Sequence, residues 1–496
     1  MIVLLNPWST PSPKKPLPMS LLAVGALLEG EFDYEIVDGN VEPDPVARIA
    51  AIDARRPLTA IGITVMPGPQ LQHAVRISRA LRLAHPGVPI VWGGYFPSQH
   101  AEVCLRDGCV DFCVRGQGEH SFAALMRVLA NGGSYADIPG LSWSEEGRVR
   151  ETPVATLAPL DSLPMWPYER VDMPRYFHRH YLGNRVGTHH SSYGCPFACS
   201  FCAVVGIANR RWVSESPARV GAVLERFQKL YGADAVQFHD MDFFISEPRT
   251  IAIAERLERL GMTWWALGRV DELMRYRTST WDAMKRSGLK MVFCGAESGS
   301  TDTLARMNKG GTAAAELTLD LARRMKSHGI VPEFSFVVGN PPDPEADLRG
   351  TLAFIRRIKR INPAAEIILY VYSPVPAPAA LDEAASDSGV TASRATFEFP
   401  PRLDDWLTDR WQAFALRRDP RTPWSPTGIR RRVRNFETVL NAYYPTVTDM
   451  RMTRARRVVL KTAASWRYHL RTSGQPFELD LLQRVFHYQR PETTGF

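Results

Sequence analysis

The stretch that decides the fold is Gly194–Cys202, with the sequence GCPFACSFC, directly after a predicted strand. Its three thiols, at Cys195, Cys199 and Cys202, can all point at one centre. Thiolates are soft ligands that select zinc or an iron–sulfur cluster over hard cations. Three protein ligands leave one position of the centre open, and catalytic centres use such a position. The alternative is a structural zinc site completed by the neighbouring His189 or His190.

The region that contains this stretch repeats a strand followed by a helix six times. The predicted strands are Val186–Ser191, Val236–Phe238, Trp264–Leu267, Met291–Cys294, Phe334–Val338 and Ile367–Tyr372. Six such units with right-handed crossovers predict a curved, parallel, barrel-like sheet over residues 186–375. Since a closed barrel of this kind has eight units, we expect one side to be open.

Residues 1–137 show a second strand–helix series. Its predicted strands are Ile2–Asn6, Tyr34–Asp38, Ala60–Val65, Ile90–Gly93 and Asp111–Val114. Short apolar strands that alternate with amphipathic helices are typical of a parallel sheet covered on both faces. We therefore predict an α/β, doubly wound, Rossmann-like domain whose ligand site lies beyond the carboxyl ends of the strands. Glycines at these ends let a ligand approach the backbone, although tight turns explain them equally well.

Two further segments complete the chain. Residues 138–185 begin with a stretch rich in proline and polar residues, and we interpret them as an extended linker that wraps the surface. Residues 376–496 show no strand alternation and are rich in aromatic residues, with helical stretches separated by prolines. We predict a C-terminal helical domain that packs against the open side of the barrel and governs substrate choice.

Composition and charge narrow the functional classes. The chain has 496 residues, of which 45% are hydrophobic and 23% charged, as in a globular protein. No apolar run is long enough to cross a membrane and no signal peptide is evident, so we expect a cytoplasmic protein. The net charge of +8 is concentrated after residue 400. Arginine runs such as 430–434 keep open a zinc-stabilised nucleic-acid-binding protein, although a solvated helix face explains them better.

The cysteine motif resembles that of the radical S-adenosylmethionine (SAM) enzymes. The pattern Cys-x-x-x-Cys-x-aromatic-Cys stands at the end of the first strand of a six-unit barrel, as it does in that family. The N-terminal region, with GGYFPS at 93–98 and GQGE at 116–119, is similar to the cobalamin-binding domain that precedes the barrel in one large branch. Together these resemblances extend over most of the chain.

The resemblance implies three cofactors. Cys195, Cys199 and Cys202 would hold a 4Fe–4S cluster, whose fourth iron binds the amino and carboxylate groups of SAM. One electron from the cluster would cleave SAM and release a 5′-deoxyadenosyl radical. An external donor of the flavodoxin or ferredoxin type would supply that electron. Cobalamin is the third cofactor, and the protein's task is to orient the reacting groups and exclude water.

Further residues match family positions one by one, close to C-terminal strand ends, where barrel enzymes place their chemistry. Phe201 would pack beside the adenine of SAM. Asp240 or Asp242 would accept a hydrogen bond from the methionyl ammonium, and the methionine between them leaves the choice open. Arg269 would donate to the methionyl carboxylate. Glu297 would accept from the ribose hydroxyls.

Cobalamin is expected at the strand ends of the N-terminal domain. Its nucleotide tail would contact residues Gly93, Gly94, Gly116, Gly118 and Glu119. Its lower face would rest on the loop Met66-Pro67-Gly68. No histidine fits the Asp-x-His-x-x-Gly pattern that supplies a cobalt ligand in some cobalamin proteins. We therefore expect cobalamin without a histidine ligand, and a domain that has lost cobalamin is the alternative.

The leading hypothesis is a methyltransferase that acts on an unactivated carbon of a natural product, peptide, tetrapyrrole or lipid. An anaerobic oxidative cyclase or a rearrangement enzyme with the same cofactors is the second hypothesis. Four cysteines receive no functional role. Cys104, Cys109 and Cys113 are interpreted as buried small apolar residues, and Cys294 as part of a barrel strand.

Overall fold

A computed structural model describes residues 1–309, 314–376, 397–417 and 428–491. It contains two seven-stranded sheets and a small two-stranded sheet, with helices packed around them. The predicted fold class is confirmed: a doubly wound domain is followed by a partial barrel and a helical C-terminal part. Within the described residues, no helix combines the length and apolar character that a membrane span needs.

The first sheet belongs to the N-terminal region. Its strands are β1 (Ile2–Asn6), β2 (Tyr34–Asp38), β3 (Ala60–Thr64), β4 (Ile90–Gly93), β5 (Phe112–Val114), β6 (Leu141–Glu145) and β7 (Arg148–Glu151). The first five are parallel, and their spatial order β2-β1-β3-β4-β5 reverses between β1 and β3. Doubly wound sheets bind ligands at such a reversal, beyond the carboxyl ends of the strands.

Five helices cover the two faces of this sheet. They are α1 (Met19–Ala26), α2 (Pro45–Arg55), α3 (Pro69–Ala84), α4 (Tyr95–Arg106) and α5 (Glu119–Asn131). Leu21 and Phe122 belong to the core on the face that α1 and α5 cover. Ile49, Leu71 and Cys104 belong to the core on the face that α2, α3 and α4 cover. Because both faces are covered, β1 is buried at every position, as its continuous apolar sequence predicts.

The segment expected to be an extended linker contributes a hairpin to the first sheet. β6 pairs antiparallel with β5 and with β7. The turn residues Glu146 and Gly147 have φ values of 50° and 75°, which suit the twist of a two-residue hairpin. This turn was not predicted, because its first residue is Glu, whereas two-residue hairpin turns usually begin with Asn, Asp or Gly. Three 3₁₀ turns follow, and Tyr168, Met173 and Tyr176 are buried rather than on the surface.

The second sheet forms the partial barrel. The remaining strands are β8 (His178–His180), β9 (Gly183–His189), β10 (Ser192–Gly194), β11 (Trp212–Ser214), β12 (Ala235–Phe238), β13 (Thr263–Arg269), β14 (Leu289–Glu297), β15 (Val331–Val338) and β16 (Glu366–Val371). The barrel order is β16-β15-β14-β13-β12-β9-β8, which gives six parallel strands in chain order with β8 antiparallel at one edge. The six predicted strands are confirmed, whereas β8 and the separate β10–β11 pair were not predicted.

Eight helices belong to the barrel region. They are α6 (Val204–Ala208), α7 (Pro217–Tyr231), α8 (Glu247–Leu260), α9 (Val270–Arg275), α10 (Thr278–Arg286), α11 (Thr301–Arg306), α12 (Ala315–His328) and α13 (Pro344–Ile361). The side chains of Ser216, Ser246 and Ser300 cap α7, α8 and α11 by accepting hydrogen bonds from backbone N–H groups. These caps satisfy donors that have no partner within the helix.

Most of the C-terminal part packs on the barrel. Its helices are α14 (Leu403–Trp406), α15 (Asp409–Ala415), α16 (Ile429–Tyr443), α17 (Arg454–Leu470) and α18 (Phe477–Phe486). Val433 and Leu460 share the main core with the barrel. Thr446 Oγ1 and the Val447 N–H donate to Glu366 of the edge strand β16 over 2.7 and 2.8 Å. Residues 428–491 therefore lie on the open side of the barrel, as predicted.

Residues 397–417, which we call the connecting segment, pack instead on the N-terminal domain. Leu403 and Trp406 belong to the core that α2, α3 and α4 cover, and the Trp406 ring lies 5.1 Å from that of Phe96. The segment then reaches the barrel, where the Val371 N–H donates to the Arg417 carbonyl oxygen over 3.3 Å. The expectation that the whole C-terminal part covers the barrel is wrong here. Aromatic composition predicts burial but does not say against which domain.

Candidate active site

The three cysteines predicted to bind a cluster lie on one loop between β10 and α6. Cys199 is buried, Cys195 and Cys202 are partly exposed, and all three are free thiols. Burial raises the pKa of Cys195 to about 12, so this thiol needs a bound cation to become a thiolate. In the described residues no three such side chains converge on one metal ion. Three cysteines on one loop suit an iron–sulfur cluster, whose thiolates bind different irons.

Backbone contacts fix the shape of this loop. Gly194 opens it with φ 79°, and a Cβ atom at this position would overlap a neighbouring carbonyl oxygen. The Ser200 N–H donates to the Met307 carbonyl oxygen over 2.8 Å. Asn308 Nδ2 donates to the Ala198 carbonyl oxygen over 3.0 Å. The loop is therefore held by the segment after α11, which the sequence analysis did not include in the site.

Arg269 joins the loop to the end of β13. Its Nη1 donates to Cys199 Sγ over 3.3 Å, and its guanidinium carbon lies 3.7 Å from the centre of the Phe197 ring. Its Nε and Nη2 donate to the carboxylate of Asp271 over 3.0 and 2.9 Å. The predicted role of Arg269 was donation to the methionyl carboxylate. In the structure its guanidinium donates hydrogen bonds to the carboxylate of Asp271 and to Cys199 Sγ.

The two candidate carboxylates after β12 have different surroundings. Asp240 is fully buried and accepts hydrogen bonds from the hydroxyls of Ser191 and Ser192. Asp242 is also buried, and its Oδ1 accepts from the Phe244 N–H over 3.2 Å. Its Oδ2 has no partner among the residues that the structure describes. Burial raises the pKa of Asp242 to about 7. Asp242 is therefore the carboxylate with capacity for another donor.

The carboxylate of Glu297, at the end of β14, forms a buried ion pair that the sequence analysis missed. Lys309 Nζ lies 2.6 Å from Glu297 Oε1, and both side chains are less than 10% exposed. Glu297 has φ 60°, which turns it away from the course of the strand. A Cβ atom at Gly295 would lie 2.8 Å from Lys309 Nζ, so the pair depends on glycine there. Lys309 Nζ is also 5.8 Å from the centre of the Phe201 ring.

Phe201 lies in a small apolar cluster at the top of the barrel. Its neighbours in this cluster include Val337 and Tyr372, from β15 and the residue after β16. Arg417 of the connecting segment donates to the Phe201 carbonyl oxygen over 3.0 Å. The C-terminal part therefore contacts the cysteine loop itself. This contact was not predicted, because the C-terminal part was expected to serve substrate binding and not the cofactor site.

The predicted cobalamin residues lie together at the carboxyl edge of the first sheet. Gly94 has φ 98°, and a Cβ atom there would lie 3.2 Å from the backbone of Val65. Gly116 has φ 76°, and its N–H donates to Ser98 Oγ over 3.0 Å. Around Gly93 only the Val114 carbonyl oxygen comes within 4 Å of a Cβ position. We call this edge the glycine cradle; Gly93 leaves space for a ligand beside the backbone, whereas protein atoms lie close to the Cβ positions of Gly94 and Gly116.

Gly118 and Glu119 complete this edge at the start of α5. Gly118 precedes the helix and Glu119 is its first residue. Burial raises the pKa of Glu119. Tyr193 of β10 has its own pKa raised mainly by burial and further by this carboxylate. The α5 end of the cradle therefore faces the strand that leads into the cysteine loop.

The loop Met66-Pro67-Gly68 lies at the point where the strand order reverses. Met66 is 41% exposed, and its N–H donates to Gln70 Oε1 over 2.7 Å. Gln70 Nε2 donates to Asn6 Oδ1 at the end of β1, again over 2.7 Å. A Cβ atom at Gly68 would lie 3.2 Å from Leu416 of the connecting segment. The loop expected under cobalamin is thus anchored to β1 and has the connecting segment as a neighbour.

The two candidate cofactor sites adjoin. Gln99 of α4 donates through Nε2 to the Ala203 carbonyl oxygen, next to Cys202, over 3.1 Å. The Ile207 carbonyl oxygen of α6 lies 3.6 Å from the Cβ position of Gly116. The edge of the first sheet and the cysteine loop therefore form one interface.

Comparison with known proteins agrees with this arrangement. A family model of the B12 binding domain matches residues 12–126, and that of the Radical SAM superfamily matches residues 190–355. The chain belongs to the cobalamin-binding radical SAM enzymes. Its cofactors are cobalamin, a 4Fe–4S cluster and SAM.

Several proteins of known sequence or structure resemble this enzyme. An uncharacterized methyltransferase of Pyrococcus horikoshii is 29% identical over 69% of this chain and 73% of its own length. The anaerobic magnesium-protoporphyrin IX monomethyl ester cyclase of Synechocystis is 25% identical over 66% of this chain and 67% of its own length. The structure of the radical SAM methyltransferase TsrM from Kitasatospora setae matches with a TM-score of 0.63 at 19% identity, over 77% of this chain and 76% of TsrM. The cobalamin-dependent radical SAM enzyme OxsB matches with a TM-score of 0.62 at 20% identity, over 74% of this chain and 53% of OxsB.

Proposed function

We propose that this enzyme transfers a methyl group from SAM, by way of cobalamin, to an unactivated carbon of its substrate. The observation that carries the proposal is the shared interface, where Gln99 of the cobalamin domain donates to Ala203 beside the cluster cysteines over 3.1 Å. Such a transfer needs both cofactors to face one substrate, and domain interfaces commonly hold substrate pockets. The similarity to methyltransferases supports this reaction.

Bound at Cys195, Cys199 and Cys202, the cluster supplies the electron that cleaves SAM, and cobalamin carries the methyl group. The chain's own residues bind and orient SAM. Asp242 accepts from the methionyl ammonium through its unpartnered Oδ2. Of the two candidate aspartates we prefer this one, because serine hydroxyls already donate to the other.

Three further groups complete the proposed SAM site. Arg269 and Lys309 place positive charge near Asp242, where the methionyl carboxylate would lie. Glu297, held by Lys309 over 2.6 Å, accepts from the ribose hydroxyls. The ring of Phe201 packs beside the adenine. Arg269 therefore acts on the carboxylate only with the donor capacity that Asp271, Cys199 and the Lys309 carbonyl oxygen leave free.

The proposed cobalamin site is the glycine cradle Gly93, Gly94, Gly116, Gly118 and Glu119, with the loop Met66-Pro67-Gly68 below the ring. Met66 is partly exposed at this position and offers no nitrogen ligand. We therefore propose that no protein histidine binds cobalt. Electron paramagnetic resonance of the reduced cobalamin form tests this directly, because an axial nitrogen would split the cobalt signal.

The decisive experiment is anaerobic reconstitution followed by product mass analysis with candidate natural products, peptides, tetrapyrroles and lipids. A gain of one methyl group supports the proposal. Cys199→Ala should lose both the cluster and the product, whereas the matched variant Cys104→Ala, in the core of the other domain, should keep both. A product with any other mass change refutes methyl transfer.

An anaerobic oxidative cyclase is the second candidate, because the Synechocystis cyclase aligns over two thirds of each chain. The same mass analysis separates the two reactions. In either case we propose an external flavodoxin- or ferredoxin-type electron donor and a cytoplasmic location, where the cluster thiols stay reduced. The cysteines belong to the radical SAM region, which does not fit the alternative of a zinc-stabilised nucleic-acid-binding protein.

A further inference from the structure

Helices α17 and α18 carry an unusual concentration of exposed apolar side chains. Among the described residues, seven of the fifteen exposed large apolar side chains lie in residues 454–486. They are Val458, Val459, Trp466, Leu470, Phe477, Leu481 and Val485. Scattered apolar residues on a surface need no explanation, whereas a group of this size in one short hairpin marks an interaction site.

The two helices run antiparallel, side by side. Near one end of the pair the guanidinium of Arg456 lies 5.6 Å from the centre of the Phe486 ring. Near the other end Arg467 Nη2 donates to Glu478 Oε2 over 2.9 Å. The hairpin is attached to the rest of the chain by buried Leu460 and Leu479. The opposite face of both helices is therefore left to the solvent.

The exposed residues form one stripe on each helix. On α17, Val459, Trp466 and Leu470 are spaced by seven and four residues, which puts them on one side of the helix. On α18, Phe477, Leu481 and Val485 are spaced by four, with the same result. Both stripes lie away from the buried leucines. Each helix therefore carries its own apolar stripe, and five of these side chains are between 50% and 70% exposed.

The region that carries the two stripes is strongly basic. Residues 428–491 contain 13 Lys and Arg against four Asp and Glu. The two acidic residues of α18 are paired, Glu478 with Arg467 and Asp480 with Arg434. Among the described residues, Arg454, Arg456 and Arg484 have no acidic partner. The hairpin therefore combines exposed apolar side chains with an excess of positive charge.

We propose that this hairpin binds the surface of an anionic lipid bilayer. An apolar stripe with aromatic and leucine side chains, flanked by arginines, lies in the interface between lipid headgroups and acyl chains. Tryptophan suits this boundary because it has an apolar ring and a polar N–H. Each arginine near an anionic surface adds attraction. A second copy of the chain is a poorer occupant, because it would bring the same excess of positive charge.

The test is flotation of the full, cofactor-loaded chain with phosphatidylcholine vesicles, with and without phosphatidylglycerol. We expect binding only when phosphatidylglycerol is present, and a loss of binding at high salt. The variant Trp466→Ser/Phe477→Ser/Leu481→Ser should reduce partitioning at least about tenfold, since it removes the apolar anchors. Replacing Arg454 and Arg484 by Gln should reduce partitioning to the anionic vesicles about fivefold for each charge removed.

A matched control replaces exposed apolar residues elsewhere on the surface. Leu83→Ser/Leu230→Ser removes side chains that are 86% and 62% exposed and should leave vesicle binding unchanged. Iron content and the thermal transition show that every variant is folded. The proposal is overturned if the wild-type chain does not bind anionic vesicles, or if it binds neutral vesicles equally well. Unchanged binding in the triple serine variant, or a dimer that this variant abolishes, also overturns it.

Discussion

Replacing Asp242 by Asn is expected to change how SAM binding depends on pH. The carboxylate is buried, and burial raises its pKa to about 7. Only the ionised form attracts the methionyl ammonium, so affinity rises as the pH increases through about 7. At pH 6 about a tenth of such a group is ionised and at pH 7 about half, which predicts an affinity gain of about fivefold.

The amino group of SAM determines how the affinity changes on the alkaline side of this pH profile. An α-amino group loses its proton at about pH 7.7–8.0, and the neutral amine no longer attracts a carboxylate. The affinity of the wild-type enzyme should therefore pass through a maximum between pH 7 and 8. In Asp242→Asn the acidic limb should disappear while the alkaline limb remains, because the amide does not titrate.

Equilibrium dialysis with the cluster-loaded protein, from about pH 6 to about pH 8.5, measures both limbs. Asp240→Asn is the matched control, since this residue is equally buried but occupied by the hydroxyls of Ser191 and Ser192. It should keep the acidic limb even if its affinity falls. A wild-type profile without an acidic limb would refute the reasoning, and so would loss of that limb in Asp240→Asn alone.

Three further substitutions test other parts of the structure. Lys309→Met leaves Glu297 as an unpaired buried charge, which should lower the free energy of unfolding by about 3–5 kcal/mol and lower the thermal transition. The double variant Lys309→Met/Glu297→Gln should recover part of this stability. No recovery would contradict the ion pair. Trp406→Ala removes a buried ring packed on Phe96 and should cost about 3–5 kcal/mol with the cluster retained, so loss of iron would be the contrary result. Cys294→Ala, in a barrel strand, should keep full iron content by colorimetric assay.

The parts of the fold that the sequence predicted are those set by local chemistry. The six parallel barrel strands follow from short apolar runs separated by amphipathic helices. The cysteine loop was predictable because its ligands are close in sequence. The glycines at 93–94 and 116 follow strands and were therefore predicted to lie at the carboxyl edge of the first sheet; of these, Gly93 is the one whose Cβ position is open.

The parts that were missed depend on contacts between distant residues. Lys309 stands in a loop rather than at a strand end, and only the fold brings it within 2.6 Å of Glu297. The choice between Asp240 and Asp242 depends on which way each side chain faces after β12. Sequence spacing does not report that direction, nor does it show that serines of the β9–β10 region occupy Asp240.

The packing of the connecting segment on the N-terminal domain was not predicted for a different reason. Its aromatic residues are apolar enough for any core, and residues 377–396 before it lie outside the described part of the chain. Nothing local in Leu403 or Trp406 distinguishes the N-terminal domain from the barrel. Only the shape of the two candidate surfaces decides which of them buries these side chains.

The connecting segment also bears on how the enzyme acquires its cofactors during synthesis. Arg417, which contacts the cysteine loop at Phe201, lies 216 positions later in the chain. Because N-terminal domains fold first as the ribosome releases them, both cofactor edges exist before the residues that tie them together. The nascent enzyme therefore has a period in which the cobalamin and cluster edges are not yet joined by this segment.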